Sequence, residues 1–329
     1  MFERAKLPAG TIERFGIVII EQTSLTRRQI VAAAITLPFV SAMPTIAKAA
    51  PSRLDRFMVQ GRPEIGRSLY KAANILPALD QLGGVRKMRC REPYSGTPGW
   101  ANYLSLAQAG VKFCFTLMAR DLETSLQDLR AFAAAAPGSI WAIEFPNEPD
   151  LWPITYNGVT DVKLGFRKGN APALMAFIKD FKAAIGTDPA LRSIPLIASN
   201  DFMQAEQAPF TTYGNSHIYP KPNLTAADKL AQFETKVAAG KHAKGVITEW
   251  GRTTGGDASN ATAPPVTLQQ QGELLASDVE AALALSSVQT ISIYELFAGG
   301  GSTEMNNFGL FNADLTPRPA VAAIKSVIV

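Results

Sequence analysis

The 329-residue chain is poor in the residues that bind metal ions and form disulfide frameworks, because it contains two cysteines and two histidines. Cys90 and Cys114 are too few for a disulfide framework or a structural zinc site, so they either form one bond or stay as buried free thiols. Two histidines are also too few for the His/Asp cluster of a metal-dependent hydrolase. No glycine-rich phosphate loop or nucleotide fingerprint occurs. We therefore expect neither a metal nor an organic cofactor.

The chain also has little excess charge outside its N-terminal segment. The formal net charge is +4, and residues 1–49 contribute +3 of it, with six basic and three acidic side chains. The remaining residues are nearly neutral and contain no basic run of the kind that binds nucleic acid. We therefore expect no nucleic-acid partner and an uncharged or weakly charged substrate.

The N-terminal segment has the pattern of an export signal. The paired Arg27-Arg28 precedes an apolar run over residues 30–43, and the small-residue site Ala47-Lys48-Ala49 follows. This order is typical of a secretory signal peptide, and the twin arginines resemble the bacterial Tat signature. The alternative, a membrane anchor, needs ~20 apolar residues, more than this run supplies. We expect residues 1–49 to be removed, leaving a periplasmic or secreted protein without stable membrane insertion.

Residues 51–329 alternate between short apolar runs and helix-like stretches. Such alternation predicts a parallel α/β sheet, and eight strands in ~280 residues is the number in a (β/α)8 TIM barrel. We therefore expect one barrel domain over residues 51–329, with no clear helix between the fifth and sixth strands. The strand-like runs are "RFMVQ", "VRKMRC", "VKFCFTLM", "IWAIEF", "IPLIAS", "SHIYP", "KGVITEW" and "TISIYEL".

The ends of these strands carry most of the polar groups that suggest chemistry. A TIM barrel places its active site at the C-terminal ends of its strands, and the fourth and seventh strands lie on opposite sides of the barrel mouth. Two glutamates at those ends can face each other across a small bound molecule. The strand ends are Arg89 or Arg91 on the second strand, Asn147-Glu148 on the fourth, His217 and Tyr219 on the sixth, Glu249-Trp250 on the seventh and Tyr294-Glu295 on the eighth.

Two carboxylates that flank a gap are the arrangement that glycosidic cleavage requires. One carboxyl group must be protonated to donate to the leaving oxygen, and the other must be ionised to attack or to activate water. Different neighbours separate their pKa values. The Asn147 amide can hold a sugar hydroxyl, and Glu144, four residues before Glu148, also faces inward by strand alternation and is expected to be a buried supporting carboxylate.

Several of these segments resemble one enzyme family. "IEFPNEPD" closely resembles the fourth-strand signature of clan A of the retaining glycoside hydrolases, and "VITEWG" resembles the seventh-strand signature. "HIYP" is similar to the sixth-strand His-x-Tyr, and "ISIYELF" with "NNFGLFNADLTPRPAVAAI" resembles the eighth strand and closing helix, especially near families 5 and 39. The resemblance covers residues 51–329 and implies the same (β/α)8 barrel.

The resemblance also implies a role for each matching residue. Glu148 corresponds to the general acid and base, and Glu249 to the nucleophile. Asn147 corresponds to the group that binds the sugar hydroxyl next to the reacting carbon. Tyr219 corresponds to a hydrogen-bond donor to the nucleophile, which His217 supports.

Three further positions are less well defined by the resemblance. An arginine at the end of the second strand contacts the nucleophile in such enzymes, and Arg89 matches best, with Arg91 left open. Many relatives place a tryptophan sugar platform after the eighth strand, where this chain has tyrosine, so the platform is either Tyr294 or Trp250. Trp152, in the loop after the fourth strand, either stacks on a sugar ring or packs within its loop.

The sequence therefore predicts an exported retaining β-glycoside hydrolase that cleaves a polysaccharide or oligosaccharide through a covalent glycosyl-enzyme. A transglycosylase on the same scaffold is one alternative, since it would transfer the sugar to another sugar instead of to water. A non-catalytic carbohydrate-binding barrel is the other, because fold alone does not define function.

Overall fold

The computed structural model describes residues 51–66, 68–164, 169–200, 203–220, 225–256, 265–299, 303 and 306–329. The expected export signal, residues 1–49, lies outside the described residues. The chain from Ala50 to Val329 forms one unit. Within the described ranges, no helix has both the length and the apolar character needed to cross a membrane.

Eight parallel strands form the barrel, which confirms the predicted fold. Around the sheet they run in the order β5-β4-β3-β2-β1-β8-β7-β6, and a bridge between Ile197 and Tyr213 joins the two edge strands. The strands are β1 (Phe57–Gln60), β2 (Lys87–Arg91), β3 (Lys112–Thr116), β4 (Ile140–Glu144), β5 (Leu196–Ile197), β6 (Gly214–Ile218), β7 (Gly245–Trp250) and β8 (Val288–Ile293).

Helices connect the strands and pack outside the sheet. Prolines at the first helical positions start three of them and side-chain caps start three others, and both are ordinary helix-start signals. As predicted, the described residues of the β5–β6 connection form no full helix, but the short α5 and one 3-10 turn, Ala208–Phe210. The helices are α1 (Ala72–Gln81), α2 (Pro98–Gln108), α3 (Leu122–Ala135), α4 (Pro172–Gly186), α5 (Gln204–Gln207), α6 (Ala226–Ala239), α7 (Leu268–Ala284) and α8 (Pro319–Ile328).

Alternation along each strand separates the outer core from the barrel interior. On β3, Phe113 and Phe115 face outward and meet Tyr103 of α2 and Phe132 of α3, with ring centroids 5.2–5.7 Å apart. The side chains of the opposite face fill the interior, as in other TIM barrels.

The barrel interior is apolar in one layer and polar in the next. A small separate cluster of buried apolar side chains lies in the lower part of the barrel. Above it, toward the C-terminal ends of the strands, the inward-facing side chains are polar and hydrogen-bonded to one another. The apolar layer is Met58, Cys114, Ala142, Ile197 and Val246, and the polar layer includes Gln60, Arg89, Thr116, Glu144, Asn215 and Thr248.

The two cysteines are free and buried. Cys114 belongs to the interior apolar cluster, whereas Cys90 packs in the main outer core. Of the two possibilities that the sequence left open, the structure contains the free thiols.

Candidate active site

A cavity of about 1610 Å³ lies at the C-terminal ends of the strands. Small-molecule pockets commonly measure about 300–1,000 Å³, so this cavity has room for more than one sugar ring. Eight of the nine residues predicted for the site line it. They are Arg89, Asn147, Glu148, Trp152, His217, Tyr219, Glu249 and Tyr294.

Arg89 is the centre of the polar layer. Its Nε and Nη2 donate to the two carboxylate oxygens of Glu144, at 2.6 and 2.8 Å. Nη2 also donates to Asn147 Oδ1 at 2.7 Å. Nη1 donates to Gln60 Oε1 and Glu249 Oε1, both at 2.5 Å. A guanidinium has five N–H donors, so every one of them is used.

The two arginines that the sequence left open both line the cavity but differ in depth. Arg89 is buried and bonds Glu249, whereas Arg91, the last residue of β2, is exposed. Strand alternation places both on the same face, but only Arg89 lies deep enough to reach the carboxylates of β4 and β7.

Glu144 is the buried counter-ion of Arg89. Besides the arginine, it accepts hydrogen bonds from Thr116 Oγ1 at 2.9 Å and from Asn215 Nδ2 and Thr248 Oγ1, each at 3.1 Å. Burial raises the pKa of Glu144, but the charge and hydrogen bonds of Arg89 outweigh it and hold this pKa well below its usual value. Glu144 is therefore a fixed anion beneath the cavity, as its inward position predicted.

Glu249, near the end of β7, is held by donors on several sides. Arg89 binds Oε1, the Tyr219 hydroxyl donates to Oε2, and His217 Nδ1 lies 3.5 Å from Oε2. Burial and the charge of Glu249 raise the pKa of Tyr219 well above its usual value, so the phenol keeps its proton. These donors orient the carboxylate toward the cavity.

Glu148 follows β4 in a left-handed backbone conformation, with φ of 43°. Its carbonyl oxygen accepts from the backbone N–H groups of Leu151 and Trp152, at 2.9 and 2.8 Å, which fixes the turn. The Glu148 side chain is 21% exposed, against 8% for Glu249. Burial raises the pKa of Glu148, but the hydrogen bond and charge of His217 outweigh it and lower this pKa.

His217 lies between the two glutamates. Its Nδ1 is 3.0 Å from Glu148 Oε1, and its Nε2 is 3.1 Å from Thr248 Oγ1. Burial lowers the pKa of His217, but the neighbouring carboxylates, Glu249 above all, raise it to about 10. The ring is therefore an imidazolium at neutral pH, and its Nδ1–H donates to Glu148.

Glu148, His217 and Glu249 also form a possible set of metal ligands among the residues that the structure describes. One ligand atom each from Glu148, His217 and Glu249 lies within 4.8 Å of the others. A protonated imidazole has no lone pair for a metal, so a cation here would first have to displace the His217 proton. The arrangement is better suited to moving protons.

The structure contradicts the prediction that Trp250 is a candidate sugar platform. Its side chain is fully buried, and its indole N–H donates to Asp278 of α7 at 2.8 Å. Glu249 and Trp250 are consecutive in a strand, so when the first faces the barrel interior the second faces the helices. Tyr294 remains as the platform candidate, because it lines the cavity.

Two aromatic side chains flank the glutamates. Tyr294 packs edge-on against Tyr219 and Phe308, with centroids 6.1 and 5.3 Å apart. Trp152 is 65% exposed at the mouth, and Lys163 Nζ lies 5.6 Å from the ring centre. Trp152 thus lines the cavity with a largely exposed ring and also contacts Lys163 of its own loop.

Sequence reasoning missed the groups at the end of β1. Gln60 and Arg62 both line the cavity. Arg62 Nη2 donates to the Tyr294 hydroxyl at 3.1 Å, and Arg62 Nε lies 3.4 Å from Glu295, which also accepts from the Tyr70 hydroxyl at 3.1 Å. Burial raises the pKa of Glu295 to about 7. The polar "QGR" after the apolar "FMV" was the available signal, since it is a strand end like the others.

No protein-family model matches the chain, and no curated protein sequence matches it. Solved structures do. GH5_18 from Streptomyces cattleya, in complex with Manβ1-4GlcNAc, has a TM-score of 0.62 at 13% identity, covering 83% of this chain and 80% of that one. A family 39 glycoside hydrolase from Bacteroides cellulosilyticus WH2 has a TM-score of 0.58 at 14% identity, covering 84% of this chain. A family 17 β-1,3-glucanosyltransferase from Rhizomucor miehei has a TM-score of 0.59 at 14% identity, covering 83% of this chain and 98% of that one.

These similarities show the fold of the chain, a (β/α)8 barrel that it shares with the glycoside hydrolases named above. The chain spans 64% of the family 39 protein and 50% of a GH2 β-galacturonidase from Eisenbergiella tayi that has a TM-score of 0.58 at 14% identity.

Proposed function

We propose that the chain is an exported retaining β-glycoside hydrolase that cleaves a polysaccharide or oligosaccharide through a covalent glycosyl-enzyme. The observation that carries the proposal is the spacing of the two glutamates, since one carboxylate oxygen of Glu148 lies within 4.8 Å of one of Glu249. Retaining glycosidases separate these carboxyl groups by about 5–5.5 Å, whereas inverting ones leave about 6.5–9.5 Å for a water molecule. The spacing favours direct attack by a carboxylate.

The two glutamates would act in succession. In the first step Glu249 attacks the anomeric carbon while Glu148 gives its proton to the glycosidic oxygen, and the carbon–oxygen bond to the leaving sugar breaks. In the second step Glu148 takes a proton from water, whose oxygen attacks the anomeric carbon and displaces Glu249. Glu148 ends protonated and Glu249 ionised, as both began.

Glu148 has to gain its proton as substrate binds, because His217 lowers its pKa in the free site. Three carboxylates (Glu144, Glu148 and Glu249) face two cations (Arg89 and His217), so the fully ionised group carries one negative charge and accepts one proton to become neutral. We place that proton on Glu148, the most exposed of the three. A sugar that covers Glu148 removes water from it, and such burial raises a carboxyl pKa.

Two further residues would bind the glycan. Arg89 holds Asn147 Oδ1, so the amide nitrogen is turned away from the arginine and lies 3.4 Å from Glu148 Oε2. From there it can donate to the hydroxyl next to the reacting carbon. The exposed Trp152 ring offers a flat face to a second sugar, because aromatic faces pack well on apolar C–H surfaces.

Transglycosylation uses the same first step and differs only in the acceptor. The similarity to the Rhizomucor miehei glucanosyltransferase favours keeping it as a second candidate. Product analysis with an added oligosaccharide distinguishes the two activities, since a transglycosylase makes products longer than the donor.

The test compares wild-type protein with Glu148→Ala and Glu249→Ala on aryl β-glycosides and β-linked polysaccharides. Glu273→Ala is the control, because Glu273 is exposed on α7, outside the barrel. We expect both site variants to lose at least about 100-fold in kcat/KM and the control to be unchanged. Azide should restore turnover to Glu249→Ala and give a glycosyl azide of inverted configuration. A wild-type protein that binds glycans and cleaves none would support the binding-module alternative instead.

A further inference from the structure

The hydrogen-bond donors nearest Glu249 are already used by protein acceptors. All five Arg89 donors have partners, the Tyr219 hydroxyl donates to Glu249, and both His217 nitrogens are paired. A sugar hydroxyl brings one donor and two acceptor lone pairs. A sugar placed against Glu249 therefore finds acceptors readily, but beyond the Asn147 amide it needs further donors.

Gln60 offers such a donor. Its Oε1 accepts from Arg89 Nη1, and a guanidinium can only donate, so the atom facing Arg89 must be the amide oxygen. The Gln60 NH2 group consequently points away from Arg89. Gln60 is half-buried and lines the cavity, and within the described residues its Nε2 has no hydrogen-bond acceptor.

Gln60 is also close to the glutamate that the proposed mechanism uses as nucleophile. Arg89 Nη1 is 2.5 Å from Gln60 Oε1 and 2.5 Å from Glu249 Oε1, so the two oxygens are at most 5.0 Å apart. The amide therefore lies beside the position of the sugar ring whose anomeric carbon faces Glu249.

We propose that Gln60 Nε2 donates a hydrogen bond to one ring hydroxyl of this sugar, and that Gln60 thereby determines which sugars the site accepts. The inference rests on the proposed function, because it takes Glu249 to mark the position of the anomeric carbon. Gln60 is then a specificity-determining residue, and the ligand group it recognises is a neutral hydroxyl.

Two variants separate the donor of Gln60 from its contact with Arg89. Gln60→Glu keeps an oxygen that Arg89 can bind and loses the NH2 donor. Gln60→Met keeps the length of the side chain and loses both polar groups. Gln269→Met, at an exposed position on α7, is the matched control for replacing a glutamine by methionine.

The experiment uses the aryl glycoside that wild-type protein hydrolyses fastest, together with analogues in which each ring hydroxyl in turn is replaced by hydrogen. We expect Gln60→Glu and Gln60→Met to lower kcat/KM on the parent compound by about 10- to 100-fold. On one deoxy analogue this loss should shrink to less than about threefold, because the hydroxyl that Gln60 binds is missing. On the other analogues the loss should persist, and Gln269→Met should match wild type throughout.

Equal losses on all analogues would overturn the inference, because they would mean that Gln60 acts only by holding Arg89. Unchanged kcat/KM in both variants would overturn it as well. If wild-type protein binds oligosaccharides without cleaving them, the proposed function fails, and calorimetric Kd values for the same deoxy series still decide the role of Gln60. Thermal unfolding of each variant separates a lost contact from a lost fold.

Discussion

At the scale of single residues, the candidate site depends on Arg89, because its side chain links groups from three strands. It bonds Gln60 at the end of β1, Glu144 and Asn147 on and after β4, and Glu249 on β7. A planar guanidinium can do this because its donors point in fixed, different directions. Removing Arg89 therefore takes a hydrogen-bond donor from Glu249 and leaves Glu144 buried without a paired charge.

We expect Arg89→Lys to lower kcat/KM by about 100-fold or more, since three donors on one nitrogen cannot replace the five-donor fork. Arg89→Met should in addition lower the free energy of unfolding by about 3–5 kcal/mol, because Glu144 then remains buried without its paired charge. Steady-state kinetics and urea unfolding measure the two effects. Arg91→Lys, at the exposed end of β2, is the control and should change neither quantity.

A double variant checks the reason for the stability loss. Arg89→Met with Glu144→Gln removes both charges, so it should recover much of the lost unfolding free energy while staying inactive. If the double variant is as unstable as Arg89→Met alone, the stranded charge of Glu144 is not the cause. Activity retained by Arg89→Lys within about threefold would refute the orienting role.

The sequence identifies most residues of the candidate site, but it does not show how deep in the barrel each side chain lies. Alternation places Arg89 and Arg91 on one face of β2, and only the folded barrel decides that the first reaches β4 and β7. Alternation also places Glu249 and Trp250 on opposite faces of β7, so the sequence itself contains the signal against Trp250 as a platform. Gln60 was missed because a neutral amide carries no distinctive pattern of its own.

At the scale of elements, β7 is joined to α7 by one buried carboxylate. Asp278 accepts from the indole of Trp250 at 2.8 Å and from Arg252 Nε and Nη2 at 2.7 and 2.9 Å. All three side chains are buried. The outward side of the strand that carries Glu249 is thus fixed by a charge-assisted network.

We expect Asp278→Ala to lower the free energy of unfolding by about 3–5 kcal/mol, because it leaves the buried Arg252 charge without its partner. Thr267→Ala, which removes the N-terminal cap of the same helix, should cost only about 1 kcal/mol and leave kcat/KM unchanged. Urea unfolding compares the two variants. Equal costs would indicate that Asp278 stabilises the helix and not its junction with β7.

The sequence predicted the long elements better than the short ones. Strands such as β7 and helices such as α7 have apolar periodicity over enough residues to be recognised. The hairpin after β4, with strands Thr155–Tyr156 and Val159–Thr160, has two residues in each strand and therefore no period to detect. Its signal is the turn, Asn157-Gly158, where both φ angles are positive as a tight hairpin requires.

At the scale of the whole molecule, buried titratable groups determine how stability depends on pH. Folding raises the pKa of His217 from 6.5 to about 10, so its stabilising contribution is complete below pH 6.5 and is lost as the pH rises through 10. His217→Gln should reduce this alkaline loss of unfolding free energy. His242→Gln should keep it, since folding lowers the pKa of His242. Urea unfolding from pH 6.5 to pH 10 compares them, and an equal decline in both variants would contradict the assignment.

Glu295 imposes a second dependence at lower pH, because folding raises its pKa from 4.5 to about 7 by burial. A raised pKa means that the stabilising contribution is complete below pH 4.5 and is lost as the pH rises through 7. Glu295→Gln has no carboxyl group to ionise, so its unfolding free energy does not decrease in this way as the pH rises. The unfolding free energy of the variant, minus that of wild type, should therefore increase between pH 4.5 and pH 8 by at most about 3 kcal/mol.

The measurement is a series of urea unfolding curves for both proteins across that pH range, with Glu280→Gln, exposed on α7, as the control. Arg62 Nε lies 3.4 Å from Glu295, and its attraction already offsets part of the burial cost in the pKa of about 7. A difference that is constant with pH would mean that Glu295 is ionised throughout, with Arg62 as a full salt-bridge partner. An increase that follows a midpoint near pH 7 would establish a protonated acid next to Tyr294 on the wall of the cavity.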